Sequence, residues 1–157
     1  MESSDPWSTP RLLWHARILV HSFHHWTGRH LLEADPSGWT DAELASRLYH
    51  APRVIASHGT EADPVLNYGN AAALKRWELD WDTFTRTPSR FTAEAPAREE
   101  RARLLDEVTR NGFIANYAGV RISSTGTRFR ISEAIVWNLI DPDGNPAGQA
   151  ATFDRWE

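Results

Sequence analysis

Residues 129–140 alternate with period two, and both alternating sets are apolar. Ile131, Ile135, Trp137 and Leu139, with Glu133 among them, oppose Ala134, Val136 and Ile140, with Ser132 and Asn138. A strand that is apolar on both sides must be covered on both sides, so the chain needs one sheet between two layers. Residues 115–123 repeat the pattern, with Tyr117, Gly119 and Arg121 opposed by Ala118, Val120 and Ile122, and Ser124-Thr125-Gly126 is the turn between the two strands. Asp141-Pro142-Asp143-Gly144 makes the next turn, and residues 149–156 return as the last strand. An earlier pair, residues 53–58 and 65–68, flanks a turn-rich stretch and reads as a hairpin.

The cover comes from helical periodicity. Leu12, Ala16, Leu19, Phe23 and Trp26 recur at three- and four-residue intervals within residues 11–32, an amphipathic helix that Gly28 ends or bends. Thr40 with Glu43 forms a capping box that opens a short helix through Tyr49, and Pro52 stops it. Asn70 caps a helix through Leu79, and Asp80 or Asp82 caps the next short one. After Pro96, residues 97–111 carry the stripe Leu104, Leu105 and Val108 and end at Asn111-Gly112. The middle helices are expected on one sheet face and the N-terminal helix on the other. This predicts a single α+β fold around a five-stranded antiparallel sheet, with residues 1–50 as a helical extension and 51–157 as the sheet domain.

Composition removes several classes of function. With no cysteine among 157 residues there is no disulfide, thiolate nucleophile or thiolate metal site. A net charge of −4 gives no global attraction to nucleic acid, and Arg98, Arg101, Arg103 and Arg110 share their helix with Glu99, Glu100, Asp106 and Glu107. No apolar run approaches the roughly 20 residues that span a bilayer, and residues 1–6 lack a secretory signal, so a cytoplasmic protein with neither nucleic-acid nor membrane partner is expected. His21 and His25 have metal-ligand spacing without a third ligand and read as packing or solvated side chains. Ser57, His58 and Asp63 are triad residue types without a nucleophile elbow and read as turn formers.

The element order resembles the PAS fold. His58-Gly59-Thr60, Asn67-Tyr68-Gly69-Asn70, Pro88-Ser89-Arg90, Gly119-Val120-Arg121-Ile122, Val136-Trp137-Asn138-Leu139-Ile140-Asp141 and Gly148-Gln149-Ala150-Ala151-Thr152-Phe153 carry the resemblance further. From about residue 50 onward the chain resembles the bacterial MEKHLA-domain proteins. That family shares a PAS-like domain with the C-termini of plant class III homeodomain–leucine-zipper regulators. No homeodomain or zipper sequence accompanies it here, so DNA binding does not carry over.

The chain is more distantly similar to light-oxygen-voltage (LOV) flavin domains. Pro88-Ser89-Arg90-Phe91 stands where that family has Asn-Cys-Arg-Phe, so no cysteinyl–flavin adduct can form. The inward parity of LOV strands places Arg121, Ile131, Glu133 and Thr152 on the pocket face, and alternation adds Tyr117, Ile135 and Trp137. Arg90 completes the expected ligand-binding set. Arg121, Ile131 and Thr152 stand where LOV domains have amides. Arg121 and Glu133 on neighbouring strands read either as a structural ion pair or as a clamp, with Arg121 holding a carboxylate or phosphate.

The resemblance implies a non-catalytic sensory or regulatory module. It would bind a small planar or anionic molecule, or a protein partner, or form a homodimer through the N-terminal helix and the sheet face bearing Val120, Ile122, Ala134 and Val136. The alternatives are a small enzyme, with Glu133 or His58 as acid–base, and a cysteine-free flavoprotein in the same pocket.

Overall fold

The computed structural model describes residues 5–157, residues 95–97 by backbone alone. Residues 1–4, part of the stretch read above for a secretory signal, lie outside the described residues. Helix α1 (Pro10–Thr27) starts at Thr9, whose hydroxyl accepts from the Leu12 amide. It stops at Gly28, where a φ of 72° lets the amide close on His24 O. This is earlier than the stripe through Leu32 suggests, because the left-handed turn at Gly28 breaks the helical run. Helix α2 (Asp41–Tyr49) opens on the expected capping box, Thr40 and Glu43 exchanging bonds of 3.0 and 3.1 Å. Strands β1 (Val54–His58) and β2 (Leu66–Gly69) lead into α3 (Ala71–Trp77) and α4 (Trp81–Phe84), and α5 (Ala95–Asn111) follows. Strands β3 (Phe113–Ile122), β4 (Arg128–Ile140), β5 (Pro146–Phe153) and the two-residue β6 (Arg155–Trp156) end the chain.

The sheet runs β2-β1-β5-β4-β3, antiparallel throughout, with β6 on β4 beyond the end of β5. The expected last strand is thus two strands, separated at Asp154.

Asn70 joins helix α2, the sheet and α3. Its Oδ1 accepts from the amides of Ile55 and Ala73, both at 3.1 Å, and its Nδ2 donates to Leu48 O at 3.1 Å and Arg53 O at 2.8 Å. The side chain is fully buried with its amide saturated, so one residue caps α3 and ties α2 and β1 to it.

Two bulges decide which side chains face which layer. Ile114 pairs with Val136 and Tyr117 with Ala134, so β3 has one extra residue, around Asn116, whose φ is 58°. Tyr117 to Gly119 on β3 then spans Ala134 to Ile131 on β4, so β4 has one extra residue, around Glu133, whose φ is 54°. Each extra residue reverses the alternation beyond it. Phe129, Ile131, Ala134 and Val136 therefore face α3 and α5, while Ile135, Trp137 and Leu139 face α1. The expected docking face fails for this reason. Ala134 and Val136 are buried in the interior, and of that set Val120 is the exposed member.

On the α1 side Leu12, Leu19 and Phe23 pack on Ile135, Trp137 and Leu139, with the Phe23 and Trp137 rings edge-on at 5.0 Å. Ser22 Oγ donates to Ile140 O and accepts from its amide, and Trp26 Nε1 donates to Asn138 O. These bonds fix α1 along β4.

Candidate functional site

The face opposite α1 holds a partly open cavity of about 70 Å³ between the sheet, α3, α4 and α5. Leu66, Trp77, Phe84, Leu104, Ile131, Val136 and Phe153 give it apolar walls, and its polar side chains include Arg101, Arg121, Tyr117, His58 and Gln149.

Arg121 is 7% exposed. Its Nη1 donates to Val120 O at 2.9 Å, its Nη2 to Tyr117 Oη at 3.3 Å, and its guanidinium lies 5.5 Å from the centre of the Tyr117 ring. Gly119 between them leaves room for this stacking. A Cβ there would come within 2.5 Å of Tyr117 Oη and 3.1 Å of Arg121 Nη1. Arg101 enters from α5. Burial pushes its pKa down to about 10, with the Arg121 charge acting in the same direction and Tyr117 against it. Neither arginine is among the ion pairs of the described residues. Two guanidinium groups thus line one cavity with no carboxylate partner among the described residues, an arrangement that desolvated charge ordinarily avoids.

His58 adds a third feature. Its Nδ1 lies 2.9 Å from Gly59 O, while its Nε2 is buried and has no partner among the described residues. Burial lowers its pKa, as does Arg101, against the raising effect of Gly59 O and Glu61, so the ring favours the neutral form. Gln149 is committed elsewhere, its Nε2 lying 3.0–3.1 Å from Leu105 O, Thr109 Oγ1 and Asn138 Oδ1.

The structure brings Tyr117, Arg121 and Ile131 together at the cavity and places the other candidates elsewhere. Glu133 sits in the β4 bulge with its side chain 58% exposed, bound to Arg155 Nε at 2.6 Å, so it neither pairs with Arg121 nor serves as an acid–base group in the cavity. Ile135 and Trp137 are beyond the bulge and under α1. Thr152 pairs with Ile55 and Ile135 on that same side, donating to Val54 O at 2.8 Å and accepting from Arg53 Nε at 2.7 Å. Arg90 is an exposed partner of Asp63 and lies over the Phe91 ring.

Arg101 is the site residue that the sequence reading grouped with a solvated, mixed-charge face. The signal was present, since positions 101, 104, 105 and 108 share one helical stripe and its other three members are apolar. Ser57, read as a turn former, instead lies within β1, 2.6 Å from Asn67 Oδ1 and 2.9 Å from His15 Nε2. Among the described residues no group of three or more His, Asp or Glu side chains is placed to hold a metal.

The family model described as the MEKHLA domain matches residues 13–157. It takes in most of α1, where the resemblance read from sequence began near residue 50. The chain is 24% identical over 156 residues to homeobox-leucine zipper protein HOX32 of Oryza sativa subsp. japonica, and 24% identical over 150 residues to ATHB-14 of Arabidopsis thaliana. These matches cover 99% and 95% of this chain but 18% of each relative, so the chain spans about a fifth of the length of the curated relatives it matches. Among solved structures it is similar to the PAS domain of a protein from Colwellia psychrerythraea, with a TM-score of 0.61 at 10% identity over 71% of this chain and 92% of that one. It is also similar to an RNA-binding light-oxygen-voltage receptor, with a TM-score of 0.62 at 13% identity over 76% of this chain and 33% of the other. At these identities the likeness establishes the fold, an antiparallel sheet with helices in the PAS/LOV manner. No helix of the described residues is long and apolar enough to cross a membrane.

The LOV likeness raises the question of a flavin, and the residues present do not fit one. A cavity of about 70 Å³ is several-fold below the roughly 300 Å³ at which cofactor-sized pockets begin. Trp77, Phe84 and Phe153 line that space, and Ser89, at the position of the LOV cysteine, is buried outside the cavity lining.

Proposed function

The chain belongs to the MEKHLA domain family, and from that premise we propose that it is a non-catalytic sensory or regulatory module that takes a small molecule into the cavity between its sheet and α3–α5 and passes the change to a protein partner. The observation that carries this reading is the pair of arginines, half-buried Arg101 and buried Arg121, that line one cavity without a carboxylate partner among the described residues. Such an arrangement is poor for stability and suits an incoming anion. The PAS-like fold supports the sensory part of the reading.

Native mass spectrometry on gently purified protein, followed by a thermal-shift screen of small metabolites, tests the proposal. Ala151→Leu, which fills the cavity from β5, should keep the circular dichroism spectrum and abolish every ligand-dependent shift. A screen in which the same compounds stabilise Ala151→Leu and the parent chain equally would move the site elsewhere. Self-association through α1 is a narrower part of the reading. The apolar stripe of α1 lies on the chain's own sheet, and Trp14, 55% exposed, is the large side chain that α1 offers to a second copy.

A further inference from the structure

We infer that the cavity takes a short-chain monocarboxylate, its carboxylate held between Arg101 of α5 and Arg121 of β3 and its hydrocarbon tail against Ile131, Val136 and Phe153. This rests on the small-molecule reading above and specifies its ligand class and its mechanical consequence.

Much of the cavity wall is hydrocarbon, Ile131, Val136 and Phe153 among it, and its cationic donors are Arg101 on α5 and Arg121 on β3, with the Tyr117 hydroxyl bonded to Arg121. A bare inorganic oxyanion would leave oxygen atoms against those walls without donors, whereas a neutral apolar molecule would leave both guanidinium groups desolvated and uncompensated. A carboxylate with an aliphatic tail matches both parts.

Size narrows the class further. At about 10–15 Å³ for each water-sized group, the 70 Å³ cavity holds about five to seven such groups, which is the heavy-atom count of a carboxylate with a chain of two to four carbons beyond it. Arg121 commits one N–H to Val120 O and one to Tyr117 Oη, leaving the rest of its fork for the ligand. A planar carboxylate can bridge two such forks. Because one arginine stands on α5 and the other on β3, the bridging anion ties the helix to the sheet.

The test uses the full chain and three probes, n-butyrate, n-butanol and inorganic phosphate, followed by calorimetry and by hydrogen exchange along α5. Butyrate should bind saturably and slow exchange in α5. Butanol, with the same skeleton and no charge, should bind at least tenfold more weakly, and phosphate should bind weakly or not at all. Arg101→Met and Arg121→Met should each weaken butyrate at least tenfold while keeping the parent circular dichroism spectrum. Arg103→Met, on the solvent side of α5, should change nothing.

Equal binding of butyrate and butanol, unchanged in both arginine variants, would overturn the carboxylate assignment and leave the cavity as a neutral-ligand site. Tighter binding of phosphate than of butyrate would make it a bare oxyanion site and overturn the tail assignment. If none of the three probes binds, the inference fails, whereas the broader small-molecule reading fails only if the metabolite screen is silent as well. Should either methionine variant unfold, Arg101→Lys and Arg121→Lys replace them. Each keeps the charge but loses the fork, and undiminished butyrate affinity in both would refute a bridged carboxylate.

Discussion

The two faces of the sheet draw on the same alternating strands and are built for different ends. Under α1, Leu19, Trp137 and Leu139 are fully buried, and the unpartnered polar atoms there, Trp7 Nε1, Tyr68 Oη and Trp137 Nε1, are neutral. Burial raises the Tyr68 pKa further, which keeps that hydroxyl protonated. Across the sheet, the smaller cluster of Leu104, Val108 and Val136 borders a cavity into which two cationic side chains are turned. One face is filled hydrocarbon, and the other holds space and uncompensated charge. The difference teaches where this domain keeps its stability and where it gives some up to remain open for a ligand.

Truncation should show the largest contrast. Leu19→Ala removes a fully buried side chain from a filled layer and should cost about 4 kcal/mol, near the upper part of the range for such changes. Leu104→Ala opens a wall that already borders empty space, so fewer contacts disappear and about 2 kcal/mol is expected. Urea denaturation of both variants measures the difference, and equal costs would mean that the two faces are packed alike.

Acid should strike the α1 face through His15. Burial lowers its pKa from 6.5 to about 4, the Arg11 charge adding to the effect, and its Nε2 lies 2.9 Å from Ser57 Oγ. Because the folded pKa is below the unfolded one, the unfolded chain binds the extra proton first as pH falls. The contribution is complete above about pH 6.5, declines through the window down to about pH 4, and amounts to roughly 3 kcal/mol at most. His15→Gln, followed by thermal denaturation at several pH values, should flatten most of this slope. A slope that persists in full would assign it to His58, whose pKa is lowered on the cavity side.

How legible these faces were in the sequence follows from their local chemistry. Thr40 with Glu43, Asn70, Asp80 and Gly28 act where their side chains or their freedom of φ dictate, so helix boundaries near them were readable. The two-sided apolar pattern of residues 129–140 correctly demanded two covering layers. What it could not show was the parity, because Asn116 and Glu133 adopt positive φ without glycine and without a turn signal around them. That reversal moved Glu133, Trp137 and Thr152 out of the expected pocket and brought Ala134 and Val136 into the interior. Arg101 escaped for a different reason. A long charged side chain on a helix is ordinarily solvated, and only its place on the Leu104–Leu105–Val108 stripe marked it as turned toward the cavity.

The smallest expected effect has the opposite sign and therefore separates the two faces most sharply. In the absence of ligand, Arg101 and Arg121 repel each other in a water-poor space, and no carboxylate among the described residues offsets them. Methionine matches much of the length and apolar character of the arginine stem, so Arg101→Met keeps packing while removing one charge and its desolvation penalty. The variant should be more stable than the parent chain by about 1 kcal/mol, a value at the low end for replacing buried charge by hydrocarbon. Raising ionic strength should narrow the gap only slightly, because a partly buried pair is screened less than charges at the surface. A variant that is instead destabilised by several kcal/mol would mean that Arg101 is part of the structure itself, and the cavity face would then differ from the α1 face in shape but not in purpose.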